Sequence, residues 1–100
     1  MPFERALSLE ALPAGAHSKV FLGGQPILLS NLDGQVHAVH DTCLHRGGSL
    51  ATGTSEGEWV TCPLHFWVFS MKTGICSQVP SIVLKVFATK VENGDVYVEV

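Results

Sequence analysis

Cys43-Leu44-His45 and Cys62-Pro63-Leu64-His65, with residues 46 to 61 between them, are the stretch that decides how this chain is read. Each segment offers one thiol and one imidazole, ligands that bind transition metals once the thiol has lost its proton. The first runs on into Arg46-Gly47-Gly48 and the second into Phe66-Trp67, so turn or aromatic residues follow each donor pair. A site that uses both pairs joins two separate loops, and its assembly is coupled to folding.

Two metal chemistries fit this donor set. A Cys/His quartet is the usual composition of a structural zinc site. A mixed-ligand [2Fe–2S] centre also needs two Cys and two His, the Cys on one iron and the His on the other. Zinc modules usually pair Cys with Cys and His with His, at spacings of two to five. Here each pair is mixed and one gap is a single residue, which favours iron–sulfur. Unliganded core Cys and His are the third and weakest reading.

The spacing C-x-H-x16-C-x2-H resembles a Rieske iron–sulfur domain. So do His45-Arg46-Gly47-Gly48-Ser49-Leu50, Trp67-Val68-Phe69 and Lys72-Thr73-Gly74, and the resemblance spans roughly residues 3 to 100. It implies a [2Fe–2S] cofactor with Cys43 and Cys62 on one iron and His45 and His65 on the other. It also implies an all-β Rieske fold: an antiparallel β-sandwich or barrel with an inserted cluster-binding subdomain. Residues 1–100 would form one domain, with the insert at about 41–70. Within the family the chain is similar to the small ferredoxins of ring-hydroxylating dioxygenases, and to the small subunit of NAD(P)H nitrite reductases. The implied function is a one-electron relay from a flavin-dependent reductase to a terminal oxygenase. The alternative partner is the large subunit of a nitrite reductase, and a zinc-stabilised interaction module is the remaining class. No catalytic residue is expected, because the chain lacks a glycine-rich nucleotide loop, a nucleophile with its base and a mononuclear iron triad.

Three further expectations rest on the resemblance. High-potential members place a Ser and a Tyr two and four residues after the second His, where this chain has Trp67 and Phe69. With no hydroxyl at those offsets, the potential should lie near the family's lower limit of about −150 mV. Gly48 and Leu64 stand where respiratory Rieske proteins carry a disulfide, so that bridge cannot form. Phe66 replaces the family's usual Gly after the second His, and its ring is expected beside the exposed tip, as an interface residue, the alternative being that it folds inward and packs under the ligand loop.

The bulk composition agrees. One hundred residues support one modest core, and an apolar share of 46% excludes disorder. The net charge is −3 and the six basic residues are scattered, which argues against nucleic acid. No run approaches the length of a membrane span and the N-terminus lacks an apolar leader core, so the expected location is the cytoplasm, with no membrane partner. Cys76 is left over, and a lone thiol of this kind reads as a small buried hydrophobe.

Turn signals arrive every eight to twelve residues, the pattern of an all-β chain. Strands are expected at Phe3–Leu7, His17–Leu22, Gln25–Ser30, Gln35–His40, Glu58–Thr61, Trp67–Ser70, Ile82–Val91 and Val96–Val100. Ser8 is expected to cap one helical turn over residues 8–13, and residues 31–34 to form a turn. Residues 50–57 read as a polar connector, and Gln78-Val79-Pro80-Ser81 resembles the family's cluster-covering loop. Gly47, Gly48 and Gly57 are expected to let backbone approach the sulfides, and the cluster to replace a local hydrophobic core. His17, His37 and His40 read as surface or edge residues, and Val96, Val98 and Val100 as core.

Overall fold

Three two-residue hairpins build most of the scaffold. In each, the turn residues both take positive φ, the geometry that matches the right-handed twist of the flanking strands. In this computed structural model, which describes residues 3–42, 49–63 and 67–100, they are Gly23-Gly24, Asp33-Gly34 and Asn93-Gly94. They join β2 (His17–Leu22) to β3 (Gln25–Leu32), β3 to β4 (Gln35–His40), and β9 (Thr89–Glu92) to β10 (Asp95–Glu99). The remaining strands are β1 (Phe3–Ser8), β5 (Thr54–Glu56), β6 (Trp59–Thr61), β7 (Val68–Ser70) and β8 (Val86–Phe87).

The described strands form three antiparallel sheets, in the orders β1-β10-β9, β2-β3-β4-β8 and β5-β6-β7. They do not close into a barrel. The reason lies in β3, whose residues Ile27 to Asn31 are all buried. Ile27 and Leu29 pack with Val96 and Val98 of the first sheet. Leu28, one residue out of phase, packs with Val60 and Phe69 of the third. Because successive side chains leave a strand on opposite faces, β3 serves two cores at once. The middle sheet is covered on both sides.

Several local expectations change for tertiary reasons. Ile82–Val91 is not one strand. Val83 bridges Ile75, Val86 pairs with Val39 and Thr89 pairs with Val98, so this stretch passes from the segment that follows β7 to the middle sheet and then to the first. Leu84 accordingly enters one core and Phe87 the other. The strand expected to stop at Ser30 continues to Leu32, because the exposed turn at Asp33-Gly34 is anchored by the buried Asn31. Its side chain donates to Leu12 O at 2.8 Å and accepts from Gly34 N at 2.8 Å. The turn at Leu9–Ala11 is a short 3-10 segment, and the Ser8 side chain does not cap it. Leu9 N donates instead to Gly94 O at 2.8 Å.

The connector over 50–57 is more structured than its polarity suggests. It holds a 3-10 turn at Leu50–Thr52 and all of β5, and Leu50 is fully buried. Val60, Phe69, Met71 and Cys76 join Leu50 in the core beneath the third sheet. This segment therefore packs on an apolar core, shared with Leu28 and Val39 of the middle sheet, contrary to the expectation that a cluster replaces one. The expected core positions Val96 and Val98 are fully buried, and Val100 packs against the same cluster of residues.

Candidate metal centre

Strand β6 delivers Cys62 to the site by strand periodicity. Val60 faces the core, Thr61 faces away and Cys62 faces in again, with no solvent exposure. Cys62 N donates to Trp67 O at 2.8 Å, which closes the neck of the second ligand segment. The Trp67 ring stands 6.5 Å from that of Phe69, tilted by 54°, and Phe69 is fully buried.

The first ligand segment has an equally defined neck. Thr42 and Ser49 face each other as an antiparallel bridge, and Leu50 N donates to Asp41 O at 2.8 Å. Asp41 is only 1% exposed. Its Oδ1 accepts from Ala51 N at 2.8 Å, and its Oδ2 accepts from the Ser49 hydroxyl. The Lys19 ammonium lies 3.4 Å from Oδ2 and donates to Ser49 Oγ at 3.3 Å. Leu50 and Cys62 belong to the same core, so the two necks rest on one apolar base.

Cys43, His45 and His65 lie outside the described residues, as do Arg46, Gly47, Gly48, Leu64 and Phe66. The structure thus places Cys62 of the four expected ligands. Among the described residues no three His, Cys, Asp or Glu side chains gather for a metal. The other three expected donors are carried by the two short segments, which begin and end at necks on one core. Two thiolates and two imidazoles presented in this way fit a mixed-ligand [2Fe–2S] cluster.

Gly57 does not belong to this region. It has φ +60 in the β5–β6 turn, at the opposite end of β6 from Cys62. The close backbone approach falls on Gly53, where a Cβ would come within 1.9 Å of Thr61 O. Gln78 was expected only in a covering loop. Its Oε1 accepts from Val68 N at 2.9 Å and from the buried Cys76 thiol at 3.6 Å, tying that loop to β7. Asp41, Gly53 and Gln78 have no local sequence signature, since each acts on a partner from another strand or loop.

The histidines outside the ligand set are half-buried, and His17 lies on the edge strand β2. His17 Nδ1 meets Ser55 Oγ at 3.2 Å across the seam between the middle and third sheets, and His40 Nδ1 accepts from Thr42 N at 3.3 Å. His37 Nε2 is buried without a partner. Burial, then the nearby Lys72 cation, holds its pKa below the usual 6.5 against an opposing pull from Glu58. A cleft of about 350 Å³ opens at this seam, lined by His17, Ser30, Asp33, Ser55, Glu58 and Lys72 among others. It faces the β5–β6 turn, away from Cys62.

Comparison with known proteins gives the same answer as the necks and donors. Residues 4–88 match the family model described as the Rieske [2Fe-2S] domain. The chain is 35% identical over 101 residues to the biphenyl dioxygenase ferredoxin subunit of Pseudomonas sp. (strain KKS102), covering 99% of this chain and 93% of that protein. It is 38% identical over 78 residues to the ferredoxin component of biphenyl 2,3-dioxygenase from Rhodococcus jostii (strain RHA1), covering 77% and 73%. It also matches a chain in the solved complex of reduced oxygenase and oxidized ferredoxin of carbazole 1,9a-dioxygenase. That match has a TM-score of 0.86 and 32% identity, over 96% of this chain and 91% of that one.

Proposed function

Since the chain belongs to the Rieske [2Fe–2S] domain family, we propose that it carries single electrons from a flavin-dependent reductase to the terminal oxygenase of a ring-hydroxylating dioxygenase. The observation that carries this reading is the 35% identity to a biphenyl dioxygenase ferredoxin over nearly the whole of both chains. The match to a chain from an oxygenase–ferredoxin complex supports the oxygenase as acceptor. The cofactor is a Rieske-type [2Fe–2S] cluster.

Cys43 and Cys62 are the proposed thiolate ligands, and His45 and His65 the proposed imidazole ligands. Bound by them, the cluster supplies a one-electron couple. The protein's part is to hold both ligand segments on one core, to keep the Cys62 thiolate out of water and to leave the imidazole ligands neutral for binding. The Gln78-Val79-Pro80-Ser81 loop, pinned to β7 through Gln78, is proposed as a cover for the centre. Residues 1–100 act as one domain with the insert at about 41–70, a division supported by the position of the third sheet between β4 and β8 in the chain. Among the described residues no helix is long and apolar enough to cross a membrane. The proposed location is the cytoplasm, and the Cys76 thiol is buried and outside any disulfide.

The test is spectroscopy with metal analysis. Purified protein should contain two irons and two acid-labile sulfides per chain. When reduced it should give an EPR signal with average g below 2, and its midpoint should lie at about −150 mV and stay nearly constant from pH 6 to 8. Stoichiometric zinc without sulfide, in protein expressed with ample iron, refutes the reading. A positive, pH-sensitive midpoint in that window refutes the low-potential assignment.

A further inference from the structure

We propose that Asp41 is the positioning residue of the first ligand segment, clamping both of its ends and acting with Ser49 and Lys19 as a unit. This rests on the reading that Cys43 and His45 ligate the cluster. A carboxylate is seldom as buried as Asp41, which is 1% exposed, unless its lone pairs are taken up. Here Ala51 N, the Ser49 hydroxyl and the Lys19 ammonium all converge on it.

The partners are not scattered over the fold. Ser49, Leu50 and Ala51 directly follow residues 43–48, and Asp41 directly precedes them with one residue between. The main chain of Asp41 is held as well: its N–H donates to Pro26 O at 3.0 Å, and its carbonyl accepts from Leu50 N at 2.8 Å. Asp41 thereby fixes the entry and exit of the segment to each other and to the start of β3. Leu50, the next residue after Ser49, packs in the same core as Cys62. The clamp therefore sets one pair of ligands relative to the other.

The chemistry calls for an acceptor-only group. Three donors meet at the side chain, and a carboxylate can receive all of them. An amide in its place offers an NH2 group towards either the Ser49–Lys19 side or Ala51 N, leaving at least one donor opposed. Lys19 also stands over the exposed ring of Phe21, 5.1 Å from its centroid, so its cation reaches from the surface to the neck.

The experiment compares iron-loaded wild type with Asp41→Asn, Ser49→Ala, Lys19→Met and the Lys19→Met/Asp41→Asn pair. Three quantities are read: the rate at which the visible absorption fades under a chelator, the EPR g values of the reduced protein, and the midpoint potential. Asp41→Asn is expected to lose its cluster about tenfold faster, as supporting partners of metal ligands generally do. Its g values should shift and its midpoint rise, because a negative charge at the neck of the ligand segment has gone. Lys19→Met should lower the midpoint, and the pair should return it towards wild type while still losing cluster fast.

Ser49→Ala removes one hydroxyl and should show a smaller change in fading rate and g values; it carries the test if Asp41→Asn fails to fold. A side chain that only stabilises the fold lowers the melting temperature and leaves g values and midpoint untouched. Wild-type fading rate and g values in both Asp41→Asn and Ser49→Ala would therefore overturn the proposal. If the wild type itself holds no iron and sulfide, the functional reading fails on its own. The clamp is then read from hydrogen exchange at Leu50 and Ala51, which Asp41→Asn should accelerate; unchanged exchange overturns it as well.

Discussion

Replacing Gly53 by Ala should destabilise the neck of the site more than a single methyl suggests. The added Cβ would lie 1.9 Å from Thr61 O, 3.0 Å from Thr61 C and 3.3 Å from Leu50 O, all of them backbone atoms. Ordinary contact begins at 3.4 Å, so the two chains must part by about 1.5 Å. No flexible side chain can absorb that. Thr61 pairs with both Thr54 and Val68 and directly precedes Cys62, so the displacement falls on β6 where it delivers the thiol. Forced insertion into packed structure costs about 1–3 kcal/mol, and one weakened backbone hydrogen bond adds about 1 kcal/mol. Loss of glycine's freedom in the unfolded chain returns only about 0.4–1 kcal/mol. The net is roughly 1–3 kcal/mol, and for a chain of this size that lowers the melting temperature by roughly 5–20 °C. Calorimetry or circular dichroism melts of Gly53→Ala and wild type, both iron-loaded, measure it. A melting temperature within about 2 °C of wild type refutes the argument, since it would mean the two strands can separate freely.

Two other outcomes can be checked with less effort. The folded-state pKa of His37 is below its unfolded value of 6.5. Between those values the unfolded chain binds more protons, so stability should fall as pH drops from 7 towards 5. His37→Gln should flatten urea midpoints over that window, and identical slopes would rule the effect out. Cys43→Ser should abolish the iron–sulfur spectrum yet keep slow amide exchange in β6 and β7, because Val60, Phe69 and Met71 pack in a core shared with Leu28 and Val39 of the middle sheet. Collapse of protection there would restore the picture of a subdomain held together by cluster alone.

What could be read in the sequence was local or chemical. Asn93-Gly94 forms its hairpin because those two residues take φ of 54° and 78°, a preference that does not depend on the rest of the fold. The alternation of Val36 and Ala38 against Val39 likewise follows from strand periodicity, and these residues do enter opposite cores. The mixed Cys/His pairs carried the family because ligand identity and spacing are themselves the chemistry. The break in Ile82–Val91 could not be read, since an apolar run carries no mark of where it changes partner. Burial of Asp41 could not be read either, because its ammonium partner lies on β2, beyond two strands and two hairpin turns. The absence of any Cβ at position 53 matters only because Thr61 O approaches it from another strand. Each of these depends on which surfaces meet when three sheets share one middle layer. That is decided by burying both faces of β3 at once, a requirement no short stretch of chain expresses by itself.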